Sequence, residues 1–124
     1  MNRTLLTVAG TLGLTAVMLG AFGAHGLRER LGTLLDVYRT GVLYHLVHAI
    51  AALAVALAAE HLRRPRLIVG LFAAGVVIFS GTLYLLAITG ATWLGAVTPI
   101  GGLLLMAGWV ALIIESFRRG GSRA

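Results

Sequence analysis

Residues 4–24 read TLLTVAGTLGLTAVMLGAFGA, an unbroken stretch without a single charged side chain. A helix rising about 1.5 Å per residue needs about 20 apolar residues to cross a hydrocarbon core ~30 Å thick. In lipid every backbone N–H and C=O must find an internal partner, so an apolar run of this length is read as a transmembrane helix. Three further runs follow, at residues 41–59, 67–89 and 93–114. Arg63-Arg64-Pro65-Arg66 separates the second from the third, because proline cannot continue the helix before it. Gly90-Ala91-Thr92 forms a tight link between the third and fourth. Barrel strands would appear as alternating segments of about ten residues, and the sequence has none. A secretory signal peptide is the other reading of the amino end, with Arg3, an apolar run and small residues at Ala21–Ala24. The run exceeds the roughly 7–15 residues of such a segment's apolar core, so a retained helix is expected.

The composition agrees. Of 124 residues, 59% are hydrophobic and 11% charged, with a mean hydropathy of +0.96. A soluble domain carries about 25% charged residues, so this chain has too little polar surface for one. The absence of cysteine excludes disulfides, thiolate metal sites, iron–sulfur ligation and S-acylation. The ten basic residues, all arginine, give a net charge of +6 and a pI near 11.4. In a soluble protein that balance would suggest nucleic acid. Here the arginines sit mostly between apolar runs, so no nucleic-acid partner is expected and their placement reports topology.

Four spans put both termini and the middle loop on one side. That side holds seven arginines: Arg3, Arg63, Arg64, Arg66, Arg118, Arg119 and Arg123. The other holds three, Arg28, Arg30 and Arg39, diluted by Glu29 and Asp36. The positive-inside rule then predicts cytoplasmic termini, with residues 26–40 facing outward. The expected protein is a single multi-pass domain, residues 1–124, in the cell's inner (plasma) membrane. Its first partner is the lipid bilayer, with Arg118, Arg119 and Arg123 at inner-leaflet headgroups.

Helix association in lipid depends on close packing, so small residues mark contact faces. Ala9, Gly13, Ala16, Gly20 and Gly23 alternate at spacings of four and three along the first helix. His45, His48, Ala52, Val55 and Ala59 repeat the spacing in the second. Gly70, Ala74 and Gly81 serve the third helix, and Gly95, Gly101, Gly102 and Gly108 the fourth. These seams predict an all-α, up-down-up-down four-helix bundle, with room for a homo-oligomer or a larger membrane complex. Trp93 is expected at the outer interface and Trp109 deeper, in packing or subunit contact. Pro99, inside the fourth run, predicts a kink.

The polar residues of the spans gather on one side of the membrane midplane. His25 caps the first helix, and Tyr44, His45 and His48 enter the second. Ser80, Thr82 and Tyr84 lie towards the end of the third, and Thr98 starts the fourth. Buried polar groups in lipid are costly unless paired, so these side chains are expected to meet in the outer half of the bundle. One reading is structural, with hydrogen bonds fixing helix register. The other is a ligand site, in which His25 and His48 hold a metal, a haem or a small apolar molecule, as in a binding protein or small transporter. His45 and His48, three apart, can present both rings to one face. No carboxylate lies within the four runs, which disfavours hard metals and proton pumping. An acidic residue inside the first helix, which small multidrug exporters share, is missing. No Ser-His-acid set or Gly-x-Ser-x-Gly elbow marks a hydrolase. An enzyme is therefore not expected, and a cofactor-free accessory, assembly or interaction component is the leading reading.

Gly20-Ala21-Phe22-Gly23-Ala24-His25-Gly26-Leu27 resembles the first-helix signature of the bacterial domain-of-unknown-function 423 family, which includes eukaryotic transmembrane protein 256. The resemblance continues through Tyr44 with His48-Ala49, Phe79-Ser80-Gly81-Thr82-Leu83-Tyr84, Leu94-Gly95, Thr98-Pro99-Ile100-Gly101-Gly102 and Gly108-Trp109. It covers nearly the whole chain, in order. The family often has serine at Thr82 and glutamine at His45. The resemblance implies a small integral membrane protein without an established activity, and points to His25, Tyr44, His48, Ser80, Tyr84 and Thr98.

Overall fold

A computed structural model describes residues 2–26 and 32–122, with side chains up to residue 117. Four long helices account for most of it: α1 (Arg3–His25), α2 (Leu35–Leu57), α3 (Pro65–Thr89) and α4 (Thr98–Ser122). All four are long and apolar enough to cross a membrane. Short 3₁₀ turns at Gly32–Leu34, Ala59–His61 and Thr92–Ala96 lead into or out of them. No strand occurs among the described residues.

The helix ends follow from local chemistry. The Asn2 side chain accepts the Leu5 N–H at 3.1 Å and caps α1. Pro65 opens α3, where its missing N–H has no helical partner to lose. Gly90, at φ 72°, closes α3 in the left-handed conformation that glycine adopts without a steric penalty. Two boundaries differ from the sequence reading. α2 begins at Leu35, six residues before the apolar run at 41, because the polar turns around Asp36 and Arg39 extend the helix beyond its apolar part. Pro99 lies in the first turn of α4, with a 3₁₀ turn before it. Its missing N–H costs nothing in a first turn, so the expected mid-helix kink is replaced by a fresh helix start.

Successive helices run antiparallel. Tyr38 and His45 of α2 reach Leu19 and Thr15 of α1. Ser80 of α3 bonds Gly41 of α2, and Thr82 of α3 meets Thr98 of α4. Each helix packs mainly on its neighbour in sequence. α1 touches α3 lightly and makes no substantial contact with α4. The four helices therefore form a curved layer with α1 and α4 at its edges.

Its two ends differ in chemistry. Towards the chain termini, Leu5, Ala9, Ala52, Val55, Ile68, Phe72 and Leu105 form an aliphatic core drawn from all four helices. Towards the other end, Tyr38, Tyr84 and Ala87 form a smaller cluster, with the Tyr38 and Tyr84 rings 5.1 Å apart.

Candidate functional site

The polar side chains predicted to share one level divide into separate interhelical contacts. They are staggered along the layer: by helical rise, His25 and His48 alone lie roughly 20 Å apart.

The first joins three helices. The His45 imidazole, 4% exposed, places Nδ1 2.8 Å from the Tyr84 hydroxyl and Nε2 3.0 Å from Thr15 Oγ1. Thr15 also donates to the carbonyls of Thr11 and Leu12, at 2.9 and 3.0 Å. A neutral imidazole with hydrogen on Nε2 satisfies this set: Tyr84 donates to Nδ1, and Nε2–H donates to Thr15. Nearby, Tyr38 donates to the Leu19 carbonyl, tying α2 to α1 a second time.

The second contact joins α2 to α4. His48 Nδ1 lies 2.7 Å from the Tyr44 carbonyl, and its Nε2 accepts the Trp109 indole N–H at 3.0 Å. A carbonyl can only accept and an indole N–H can only donate, so this ring is the neutral Nδ1–H tautomer. Its edge meets the Phe72 ring, with centroids 5.3 Å apart. Tyr44 is 40% exposed; its ring lies parallel to His48 and packs against Phe79.

The remaining contacts are local. Ser80 donates to the Gly41 carbonyl at 2.7 Å, where an added Cβ on Gly41 would come within 2.9 Å of the Tyr84 ring. The Thr82 and Thr98 hydroxyls are 2.6 Å apart, and each also bonds a carbonyl of its own chain segment. Among the described residues, no buried side-chain nitrogen or oxygen lacks a partner.

The paired ligand set of His25 and His48 does not form. His25 is exposed at the end of α1. It lies ten residues beyond Thr15, whereas His48 lies three residues past His45 in the opposite direction. By helical rise the two rings are roughly 20 Å apart along the layer, far beyond the about 2.0–2.1 Å reach of a shared metal to each nitrogen. Both nitrogens of His48 already face hydrogen-bond partners. Among the described residues, no group of three or more His, Asp or Glu side chains is placed to hold a metal.

The glycine seams sort in the same way. A Cβ on Gly20 would sit 3.3 Å from Val42, one on Gly23 would overlap the Tyr38 ring, and one on Gly101 would come within 2.7 Å of the Phe79 Cα. Gly102 has only ordinary contact with Phe79, at 3.6 Å. Gly13 and Gly81, also expected in seams, have nothing within 4 Å of an added Cβ.

Sequence reasoning missed Thr15, which looks like an ordinary span residue until its partner is known, and Tyr38, which falls before the second apolar run in the stretch expected to face outward. It also passed over Glu115, one residue beyond the last apolar run. This carboxylate is 3% exposed, and its two oxygens accept the backbone N–H groups of Arg63 and Arg64 at 3.1 and 2.7 Å. It thereby fastens the α2–α3 link to α4 at the start of α3, where the helix dipole favours a negative charge. A carboxylate on the last turns of an apolar helix was the available signal.

This architecture is that of a small multi-pass membrane protein whose polar residues tie its helices together. A family model described as "Protein of unknown function (DUF423)" matches residues 19–102, and the chain belongs to that family. It is 40% identical to the UPF0382 membrane protein YwdK of Bacillus subtilis, over 85% of this chain and 89% of the relative. A UPF0382 membrane protein of Haemophilus influenzae is also 40% identical, over 95% of this chain and 97% of its own. The UPF0382 inner membrane protein YgdD of Escherichia coli is 34% identical, over 94% and 92%. No solved structure matches.

Proposed function

We propose that this chain is a non-enzymatic component of the plasma membrane, with both termini in the cytoplasm, that acts by assembling with other membrane helices. The observation that carries the reading is the use of its polar side chains. His45, His48, Ser80, Thr82, Tyr84 and Thr98 each bond another residue of the chain, and they do so in separate small contacts rather than around one common centre. The open edges of the helix layer support assembly. α1 and α4 make no substantial contact with each other, and on the outer surface that α1 shares with α2 an added Cβ at Gly10 or Gly13 would meet nothing within 4 Å. Close approach of another helix is what small residues on such a face allow. The seven-to-three arginine asymmetry supports the orientation, and the inner-membrane name of the E. coli relative supports the location.

The test is the mass and metal content of the protein extracted in native-lipid particles, without detergent. The expected particle holds more than one 13.0 kDa chain or a second protein, and no stoichiometric metal or haem. A lone chain, or a stoichiometric metal or haem absorption, would overturn the reading.

A further inference from the structure

A groove between α2 and α4 stands apart from the hydrogen-bonded contacts. Ala51, Ala54, Val55, Ala58 and Leu62 line one wall, and Trp109 and Leu112 the other, around a cavity of about 270 Å³. It exists because α2 and α4 are not sequence neighbours and lie across α3 from each other, while α2 presents alanines where larger side chains would close the gap. The Trp109 N–H is taken by His48. The indole therefore gives the groove an apolar surface, and its remaining lining is aliphatic.

The groove has a direction. From Ala51 it follows α2 for roughly 9 Å to the helix end at Leu57 and continues over the Ala59–His61 turn to Leu62, a stretch that fits within one leaflet of a ~30 Å hydrocarbon core. At its end the chain passes directly from Leu62 into Arg63, Arg64 and Arg66, all exposed. The Glu115 carboxylate bonds the backbone N–H groups of Arg63 and Arg64, holding this segment in place while their guanidinium groups remain at the surface. A one-leaflet apolar slot ending in a cationic segment is complementary to a molecule with an acyl chain and a negative headgroup.

The geometry points to a binding site for an anionic phospholipid, with one acyl chain in the α2–α4 groove against Trp109 and the phosphate at Arg63 and Arg64. Charge decides between this occupant and a second copy of the chain. A two-fold pair across the groove would bring two Arg63-Arg64-Arg66 segments to the same level, where their like charges repel. A phospholipid phosphate meets the same arginines with the opposite charge, and basic pockets beside membrane helices take such headgroups.

The cavity residue itself supplies the probe. In a Trp93→Phe variant Trp109 is the only tryptophan. This protein is reconstituted in equimolar phosphatidylglycerol and phosphatidylcholine vesicles, with bromine, a contact quencher of indole, on the acyl chains of one lipid or the other. Brominated phosphatidylglycerol is expected to quench Trp109 well beyond its mole fraction, with a local enrichment on the order of fivefold for each arginine engaged. Arg63→Gln with Arg64→Gln should return quenching to the mole fraction at unchanged helicity, since Glu115 bonds backbone atoms there. Arg39→Gln, on an exposed residue at the opposite end, should leave the excess intact. Equal quenching by both lipids would overturn the proposal, as would an excess that survives the double substitution. Absence of quenching by either lipid would also overturn it, by showing the groove covered by protein.

Discussion

The two edge helices are fastened in different ways. α1 is held to α2 by side-chain hydrogen bonds, Thr15 with His45 and the Leu19 carbonyl with Tyr38, together with close approach at Gly20 and the Gly23 notch that admits the Tyr38 ring. α4 is held to α3 by close approach: Gly101 lies against the Phe79 backbone, Gly108 under the Phe72 ring and Gly75 of α3 under Leu105. Polar contacts to α4 come from α3 through the Thr82–Thr98 hydroxyl pair and from elsewhere in the chain, with His48 accepting from Trp109 and Glu115 bonding the α2–α3 link. Lipid tails are as apolar as the helices they surround, so hydrophobic burial does little to hold helices together there. The difference teaches that both remaining forces, van der Waals contact and hydrogen bonding, are in use at both edges, with more interhelical side-chain hydrogen bonds on α1 and more glycine-to-neighbour contacts on α4.

The contrast can be broken hardest at Gly101. Gly101→Val should force α4 away from the Phe79 backbone, at a cost of about 3 kcal/mol or more, the upper end for overpacking. A steep fall in the unfolding temperature in detergent, with little folded yield, is the expected result. Near-normal stability would show that α4 is held by its polar contacts instead. Glu115→Gln comes next. An amide has one acceptor oxygen and turns a donor towards the other linker N–H, so a loss of about 1–3 kcal/mol is expected by chemical unfolding.

The two buried imidazoles give a finer comparison. His48→Leu leaves the Trp109 N–H without its acceptor, and interhelical hydrogen bonds in membranes are worth about 0.6 kcal/mol on average and about 1.7 at most. His45→Gln should cost less than about 0.5 kcal/mol, because an amide can both donate to Thr15 and accept from Tyr84. Unfolding of both variants under one condition ranks them; the opposite order would mean that α1 depends on the ring itself. The smallest effect is expected at Gly13→Ala. Its Cβ meets nothing within 4 Å, and alanine favours the helix by roughly 0.5–1 kcal/mol over glycine. An isolated chain should hold or gain stability. A loss of assembled particles without a loss of chain stability would place a neighbouring helix on that face.

Much of this was legible in the residues. The four spans, their order and the breaks at Pro65 and Gly90 follow from the length of the apolar runs and from residues that end helices. So did the membership of His45, His48, Ser80, Thr82, Tyr84 and Thr98 in interhelical contacts, since polar groups in a span must pair. Their partners were not legible. His45 and His48, three positions apart, point about 60° apart around α2. In a layer of closely packed helices that turn is enough to send one ring to α1 and α3, and the other to α4. The same arithmetic removes His25 from His48: both lie in polar surroundings by sequence, but on antiparallel helices their numbers diverge along the membrane normal.

The sequence by itself determined that this is a four-span membrane protein, because transfer into lipid depends on run length and charge, properties each segment carries alone. It also supplied the arginine asymmetry, read one loop at a time. Only the tertiary structure decided which glycines are contacts and which face open space, and that the helices form a layer with free edges. It alone set Glu115 against the link before α3 and left a groove between α2 and α4. Each of these depends on the relative placement of helices far apart in the chain, which in lipid is chosen by shape and hydrogen-bond geometry rather than by apolarity that all four share.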